Sequence, residues 1–357
     1  MPASTSSPFS DYAPRRYLSA GEAAQILGIS GAQMHARMRR GAVPACRAAS
    51  GRQYRPERAA LEPLVQAGKP PGARLTPTED LPQQWERPFG SSRQRICVAD
   101  ARDMHHVPAA SVHWVITSPP SFNAKMYAPE PLQSDLGHIH DVAPWLREIG
   151  QVWREGYRVL QPGRKAFLNI MNLPARQQGT FRSRNLVGKT IGQRETIGLI
   201  FKREIVWHKT NSARAHFGTH PHPGGILLSY AHEFILEFEK LAPKGRRKYA
   251  HVTPKQREAS KLDKEFGLKI KKSDVWLLKP EKNGAQRSHV APFPYEWPAR
   301  RVKAYSFVGE TVLDPFLGRG TTLVAARDVH RDGIGDEVIP RIARQASKRL
   351  QRPLWAF

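Results

Sequence analysis

The sequence predicts a doubly wound α/β sheet preceded by a small N-terminal helical domain. Val312 to Asp314 is a short strand with an acidic end, and a glycine-broken turn leads from it into a helix from Thr321 to Arg327. Asp332 to Val338 is a second short strand, and Ser111 to Thr117 is an apolar strand upstream. Open α/β sheets bind their ligands at the carboxyl ends of the strands. The turn after Asp314 is therefore a candidate ligand site.

The N-terminal part of the chain has a different pattern. Residues 1–16 are rich in Ser, Pro and Ala, which predicts a disordered tail. Residues 17–68 predict a winged helix-turn-helix, with two short helices joined at Gly28-Ile29-Ser30 and a β-wing from Cys46 to Arg55. This pattern resembles the MerR and excisionase type, and a helical hairpin that binds proteins is the alternative. The Pro-rich residues 69–91 are predicted to be a linker, and residues 92–357 the main domain.

The charge of the chain indicates a polyanionic partner. There are 56 Lys and Arg residues against 31 Asp and Glu residues, which gives a formal net charge of +25. Nucleic acid is the simplest such partner, although a basic protein that is merely soluble would show the same balance. In the second predicted helix, the candidate DNA contacts are Gln33, Arg37 and Arg40.

Cysteine and histidine usage indicates neither a disulfide scaffold nor a metal site. The two cysteines form no Cys-x-x-Cys motif, and the histidines from His208 to His222 have no compact ligand spacing. No run of about 18 apolar residues predicts a membrane span. A cytoplasmic protein, held at the nucleoid by DNA binding, is the expected class.

Two distant motifs carry the functional prediction. Asp314 to Thr321 has the form Asp-Pro-Phe-x-Gly-x-Gly-Thr, and Thr117-Ser118-Pro119-Pro120 ends an upstream strand. Alone, the first could be a plain tight turn and the second a strand-ending turn. The first is not a Walker phosphate loop, because no Lys-Ser/Thr pair follows its last glycine. Together they resemble the beta-type DNA amino-methyltransferases, which implies a Rossmann-like methyltransferase sheet, S-adenosylmethionine as cofactor and double-stranded DNA as substrate.

The resemblance also implies which residues bind the cofactor. Asp100 matches the acid near the adenine amine, and Glu337 matches the ribose-binding acid, with Asp336 as an alternative. Phe293 lies in an element that resembles the one beside the methionine end, although it could equally be a core residue. In full, the implied cofactor contacts are Asp100, Thr117, Phe293, Asp314, Phe316, Gly318, Gly320, Thr321, Thr322 and Glu337. Arg158 to Gly163 matches the helix end that is usual in the family. The next residue is Arg164, whereas the family commonly has Gly at that place.

The chemistry of amine methylation explains the upstream motif. The lone pair of an exocyclic amine is delocalised into its base, so the enzyme must turn the nitrogen toward tetrahedral geometry. The Ser118 hydroxyl and the Pro119 carbonyl are the candidate acceptors for its N–H, and Pro119 and Pro120 fix the backbone that aims them. A base inside a duplex must flip out to reach them. In the family, Ser at the first place of the motif is found mostly in enzymes that methylate cytosine N4, and adenine N6 is the alternative target. Methylation of cytosine carbon 5 needs a nucleophilic Cys, usually next to Pro, and neither Cys46 nor Cys97 has that neighbour.

The fourth place of the motif departs from the family pattern. It is normally an aromatic residue that stacks on the flipped base, but here it is Ser121. Phe122 is the candidate replacement, and Tyr127 is the alternative. If neither serves, the chain would be a DNA-binding regulator whose methyltransferase fold has lost activity.

Three segments fit no alternation of strands and helices. They cover approximately residues 174–195, 211–225 and 240–288, and the resemblance implies that such insertions recognise the target DNA. Arg246, Arg247 and Lys248 are candidate phosphate contacts, and a solvated surface is the alternative. The resemblance further implies a possible partner restriction endonuclease, and a monomer or a homodimer.

Overall fold

The computed structural model describes residues 21, 23–24, 33–35, 38, 43, 45–47, 54–56, 61, 84–120, 134–139, 141–177, 180–210, 217–218, 224, 226–228, 230–245, 247–280 and 293–352. The chain divides into two compact units, Met1–Glu79 and Asp80–Phe357. Within the described ranges, no helix is both long enough and apolar enough to cross a bilayer.

The first unit contains helical residues and one strand pair. Residues 21, 23–24, 33–35 and 38 are helical, and strand β1 (Ala45–Arg47) pairs antiparallel with β2 (Tyr54–Pro56). Ala23, Met34 and Leu61 are buried. Gln33 is exposed, whereas Arg37 and Arg40 lie outside the described residues, as does most of residues 17–68. The winged helix-turn-helix therefore stays a prediction.

The second unit is built on a nine-stranded sheet. Its strands are β3 (Gln84–Phe89), β4 (Ser92–Cys97), β5 (Val112–Thr117), β6 (Leu160–Ile170), β9 (Leu199–Lys209), β12 (His232–Lys240), β13 (Val275–Leu278), β14 (Thr311–Asp314) and β15 (Asp332–Asp336). They lie in the order β13-β9-β12-β6-β5-β14-β15-β4-β3. The five strands from β6 to β4 run parallel, and β3 and β12 pair antiparallel with their inner neighbours. This is the mixed α/β architecture expected from the sequence.

The direction of chain travel reverses between β5 and β14. From β5 the chain continues to β6 on one side, whereas from β14 it continues to β15 on the other side. The two connections therefore diverge and leave a crevice at the carboxyl ends of β5 and β14. Open α/β sheets bind ligands at such a switch point.

Helices cover both faces of the sheet. Their bounds are α1 (Val142–Val159), α2 (Leu186–Thr196), α3 (Pro254–Ala259), α4 (Lys264–Lys271), α5 (Glu296–Tyr305), α6 (Thr321–Asp328) and α7 (Pro340–Leu350). Helix α1 buries Trp145, Ile149 and Trp153 against one face, as its apolar spacing predicts. Helix α5 buries Trp297 and Val302 against the other face.

Two segments differ from the sequence prediction. Gln84–Phe89, within the predicted linker, forms edge strand β3. Residues 174–195, predicted as an insertion, contain most of the hairpin β7 (Leu173–Gln177) and β8 (Thr180–Arg184), followed by α2. Leu186 and Val187 of α2 join the core that α1 forms with the sheet. Two glycines interrupt the apolar pattern of α2, so packing stabilises a helix that local propensity disfavours.

Residues 247–260, the first part of the basic segment after β12, pack at the amino ends of the parallel strands. Two small antiparallel strands, β10 (Phe217–Gly218) and β11 (Ile226–Leu227), precede it. Thr253 caps α3 with a capping box that includes Gln256. The Gln256 side chain then donates to the Val308 carbonyl at 3.0 Å, and the Val308 amide donates to Ser260 Oγ at 2.8 Å. Val308 lies three residues before the start of β14, so this part of the segment is fixed to the end of the sheet opposite the crevice.

Candidate active site

A buried hydrogen bond joins the two motifs that the sequence singled out. The Thr117 hydroxyl, at the end of β5, donates to Asp314 Oδ1, at the end of β14, at 2.7 Å. Asp314 Oδ2 accepts from the Thr322 hydroxyl at 2.6 Å, and Oδ1 also accepts from the Phe316 amide at 3.1 Å. Thr117 and Asp314, which are 197 positions apart in the chain, therefore meet at the crevice. Ser118 follows Thr117 and the glycine turn follows Asp314, so the two motifs start from the same place.

The glycine turn gives the chain a left-handed backbone at the start of α6. Gly318 and Gly320 have φ of +53° and +77°, which non-glycine residues rarely adopt. A Cβ on Gly320 would lie 3.1 Å from Ala346 Cβ, so α7 also packs too closely to permit one without adjustment. Thr321 and Thr322 are buried, and Arg349 Nη1 donates to Thr321 Oγ1 at 2.7 Å. Their side chains therefore fix the turn rather than line the crevice.

Glu337 holds the turn from the neighbouring strand. Its carboxylate accepts from the Gly318 amide and the Ile339 amide, both at 3.0 Å. Burial raises the pKa of Glu337 to about 7 and that of Asp314 to about 6. The sequence alternative, Asp336, is fully buried and bonded to His106 Nε2 at 2.9 Å, which leaves Glu337 as the acid at the edge.

Two predicted cofactor residues are engaged by the protein itself. The Asp100 carboxylate binds Arg102 through both oxygens, with Nε–Oδ1 at 3.1 Å and Nη2–Oδ2 at 2.6 Å. Phe293 packs on Trp297, with ring centroids 4.8 Å apart, beside the core under α5. Its position matches the core alternative that the sequence left open.

A cavity opens beside Ser118. It is lined by Ser118, Pro119, Pro120, Trp145, Asn169, Ile170, Met171, Leu173, Leu186 and Glu233. Asn169 Nδ2 donates to Glu233 Oε2 at 2.5 Å, and Lys209 Nζ lies 2.5 Å from Glu233 Oε1. None of these three polar residues was predicted from the sequence as part of the site. The available signal was Asn169 itself, an amide inside the apolar strand from Ala166 to Ile170.

Several predicted contacts fall outside the described residues. They are Phe122, its alternative Tyr127, and Arg246, and Ser121 at the fourth place of the motif lies there too. Arg247 is exposed in the basic segment. Lys248 pairs with Glu239, which lies opposite Lys165 in the middle of β6. The contact of these basic residues with DNA phosphate stays a prediction.

Two groups of potential metal ligands occur among the described residues. One consists of Cys97, His106 and Asp336, and the other consists of His113, His251 and Glu310. In the second group, the Arg164 guanidinium contacts both His251 and Glu310. That fixed cation occupies the carboxylate and competes with a metal ion for it.

The groups at the crevice fit the cofactor implied by the sequence. An ionised carboxylate offers about four lone-pair sites, so Glu337 keeps acceptors for a ribose diol after binding two backbone amides. Gly318 and Gly320 add no side chain to the turn, and the half-buried Phe316 offers an apolar surface beside them. S-adenosylmethionine combines a ribose and apolar surface with a cationic sulfonium group. These are the residues that would hold it.

Comparisons with known proteins agree with this geometry. A family model described as DNA methylase matches residues 112–348. The type II methyltransferase M.MjaI of Methanocaldococcus jannaschii is 30% identical over 278 residues, which cover 70% of this chain and 88% of that protein. The Thermus thermophilus protein TTHA0409, solved in complex with S-adenosyl-L-methionine, is 33% identical with a TM-score of 0.58, over 73% of this chain and 95% of that chain.

A more distant structure shares the fold. The PvuII DNA methyltransferase, which is cytosine-N4-specific, is 16% identical with a TM-score of 0.52, over 74% of this chain and 88% of that chain. Because the family model spans most of the sheet and both motifs, the assignment rests on the same residues that form the crevice. The chain belongs to the N6/N4 family of DNA methyltransferases, and its cofactor is S-adenosylmethionine.

Proposed function

We propose that this DNA methyltransferase methylates N4 of cytosine at a specific site in duplex DNA. The observation that carries the proposal is the 2.7 Å hydrogen bond between Thr117 and Asp314, which sets Ser118 beside the cofactor turn. Ser118 occupies the first place of the catalytic motif, where the family resemblance favours cytosine. Adenine N6 is the second candidate, because the same acceptors could hold either amine.

Ser118 and Pro119 act on the target amine in this proposal. When bound, S-adenosylmethionine supplies an electrophilic methyl group, and its carbon–sulfur bond breaks with the electron pair staying on sulfur as the amine nitrogen bonds to carbon. The Ser118 hydroxyl or the Pro119 carbonyl accepts an N–H of that amine and directs its lone pair. Pro119 and Pro120 restrict the backbone, so little reorganisation is needed during the reaction. The cavity beside Ser118 would receive the flipped base.

Identification of the modified nucleoside tests the specificity. Duplex DNA incubated with the protein and S-adenosylmethionine is digested to nucleosides and analysed by mass spectrometry. N4-methyldeoxycytidine is the expected product. N6-methyldeoxyadenosine would instead establish the second candidate, and absence of transfer of a tritiated methyl group into any DNA tested would favour the inactive regulator.

A role in restriction and modification follows from the proposed activity. M.MjaI is a type II methyltransferase by name. A methyltransferase that protects DNA from a partner endonuclease must modify almost every copy of its site. Sequencing of host DNA with detection of N4-methylcytosine is expected to show nearly complete modification, and sparse or partial modification would count against such a partner.

Cofactor binding is expected to weaken as the pH falls below about 7. The pKa of Glu337 is raised to about 7 by burial, so its carboxylate accepts ribose hydroxyls fully above that pH and is protonated below it. The dissociation constant of S-adenosylmethionine should therefore rise about tenfold per pH unit on the acid side. Calorimetric titration between pH 5.5 and 8.5 measures this slope. In Glu337→Gln, the dependence of the dissociation constant on pH that this carboxyl causes should disappear, and the cofactor should bind more weakly at pH 8. An unchanged dependence on pH would exclude Glu337 as its source.

The N-terminal unit is proposed to contact DNA through Arg37 and Arg40. Each phosphate contact contributes about −0.9 to the slope of log affinity against log salt. The double substitution Arg37→Gln with Arg40→Gln in the full chain should therefore make that slope less steep by about 2. Arg147→Gln with Arg154→Gln, two exposed positions on α1, is the matched control. Equal slopes for the two double variants would remove Arg37 and Arg40 from the DNA interface.

A further inference from the structure

A buried amide lies next to Ser118 in the cavity wall. Strands β5 and β6 pair in parallel with Thr117 opposite Leu168, so Ser118 and Asn169 follow on neighbouring strands. Adjacent strands are separated by about 4.8 Å. Asn169 is 3% exposed, and both residues line the same cavity. An amide in this position is within reach of any group that Ser118 contacts.

The orientation of the Asn169 amide is fixed by its partner. Asn169 Nδ2 lies 2.5 Å from Glu233 Oε2, and an ionised carboxylate can only accept, so the amide must donate from Nδ2. Lys209 Nζ, 2.5 Å from Glu233 Oε1, holds that carboxylate in turn. Asn169 Oδ1 is consequently directed away from Glu233. Among the described residues it accepts no hydrogen bond, although it is buried.

A buried acceptor without a protein donor is uncommon in folded proteins, and one in a cavity wall is free to accept from a ligand. The cavity offers one chemical identity for that ligand, because the neighbouring Ser118 and Pro119 are also acceptors in the proposed function. A ligand that suits this group of acceptors must present N–H bonds. An exocyclic amine of a base has two N–H bonds: one is accepted by the Ser118 hydroxyl or the Pro119 carbonyl in the proposed function, and the other has no acceptor assigned.

We propose that Asn169 Oδ1 accepts the second N–H of the target amine. This inference rests on the proposed function and assigns a residue to it that the catalytic motif does not contain. With acceptors on two adjacent strands, both N–H bonds are held and the nitrogen lone pair is aimed toward the methyl group. Asn169 takes no proton: an amide oxygen is not a base at neutral pH, so the proton that the methylated nitrogen loses leaves to water.

The same arrangement selects the chemical class of the base. A base with a keto group at this place, such as thymine, would present an oxygen to Asn169 Oδ1 and to the Pro119 carbonyl. Acceptors facing acceptors are repulsive, and burial strengthens the penalty. Asn169 therefore selects amino bases over keto bases. Glu233 and Lys209 are positioning residues in this proposal, since Glu233 orients the amide and Lys209 holds the Glu233 carboxylate.

Asn169→Leu tests the proposal in the full chain. The rate of a single turnover of tritiated methyl into duplex DNA should fall roughly tenfold to hundredfold, because the lost acceptor acts most strongly as the amine changes geometry. The dissociation constant of S-adenosylmethionine should stay the same. Gln94→Leu is the matched control, since Gln94 is also a buried amide on the sheet but lines no part of the cavity. Its transfer rate should equal that of the unmodified chain.

The outcomes separate this inference from the function on which it rests. Transfer by Asn169→Leu at the unmodified rate would overturn the role of Asn169 and leave the methyltransferase activity intact. No transfer by the unmodified chain into any DNA would overturn both. If Asn169→Leu fails to fold by circular dichroism, Glu233 gives the answer: Glu233→Gln keeps an oxygen for Asn169 Nδ2 and should transfer at least roughly tenfold faster than Glu233→Leu. Equal rates of those two variants would overturn the proposal.

Discussion

Replacing Asp314 with alanine is expected to abolish measurable binding of S-adenosylmethionine and to lower the free energy of unfolding by about 3 kcal/mol. Asp314 is fully buried and accepts from Thr117, Thr322 and the Phe316 amide. Alanine would leave two buried hydroxyls without their acceptor and a cavity beside them. The glycine turn would then lose the contact that sets it against β5.

Asp314→Asn separates hydrogen bonding from charge. Its oxygen can still accept from Thr117 and Phe316, and the Thr322 hydroxyl can rotate to accept from the new amide. Burial raises the pKa of Asp314 to about 6. Between about pH 4 and 6 this carboxyl therefore binds more protons in the folded protein than in the unfolded chain. Its contribution to the free energy of unfolding falls as the pH rises through that window. The asparagine variant should lack this contribution.

Urea unfolding and calorimetric titration with S-adenosylmethionine measure both effects. We expect the asparagine variant to bind the cofactor and the alanine variant not to bind it. Unimpaired binding by the alanine variant would show that the turn keeps its position without the Asp314 network. Loss of binding in both variants would instead make the negative charge the essential feature.

The edge that carries the site was predictable because its signals are local. An apolar strand, a glycine turn and a helix start follow one another between Val312 and Arg327, and each has a short-range sequence pattern. The meeting of Thr117 with Asp314 is not local, and composition or periodicity could not predict it. It followed from resemblance to a family, and the 2.7 Å hydrogen bond supplies the physical contact.

The parts that sequence reasoning missed depend on tertiary packing. Helix α2 forms because Leu186 and Val187 enter the core, although its glycines weaken the helical pattern. Asn169 is notable once Glu233, 64 positions away, is known to orient its amide. Lys248 has the charge expected of a phosphate contact, which stays a prediction, and charge alone could not predict that it pairs with Glu239 at the level of Lys165. Lys165 lies opposite Trp114, four residues before Ser118 on a strand that rises about 3.3 Å per residue.

The end of the sheet opposite the site depends on a buried ion pair that contains Glu310. Glu310 is 1% exposed and forms an ion pair with Arg164, which is also 1% exposed. It also accepts from the Phe307 amide at 3.0 Å, and His251 Nε2 lies 2.9 Å from it. Burial lowers the pKa of the adjacent His113 to about 4, so that ring adds no charge at neutral pH. The Arg164 guanidinium therefore depends on Glu310 for compensation.

Glu310→Leu is expected to lower the free energy of unfolding by about 3–5 kcal/mol, because it leaves a buried cation without its partner. For a unit of this size, that corresponds to a fall in Tm of roughly 10 °C. Adding Arg164→Met should recover most of the loss, since an apolar pair of similar volume can replace a buried ion pair at little cost. The dissociation constant of S-adenosylmethionine, measured well below the transition, should match that of the unmodified chain, because Glu310 precedes β14 and the cofactor turn follows it. A double variant no more stable than Glu310→Leu would show that the loss arises from packing or from the Phe307 contact instead of from the unpaired charge.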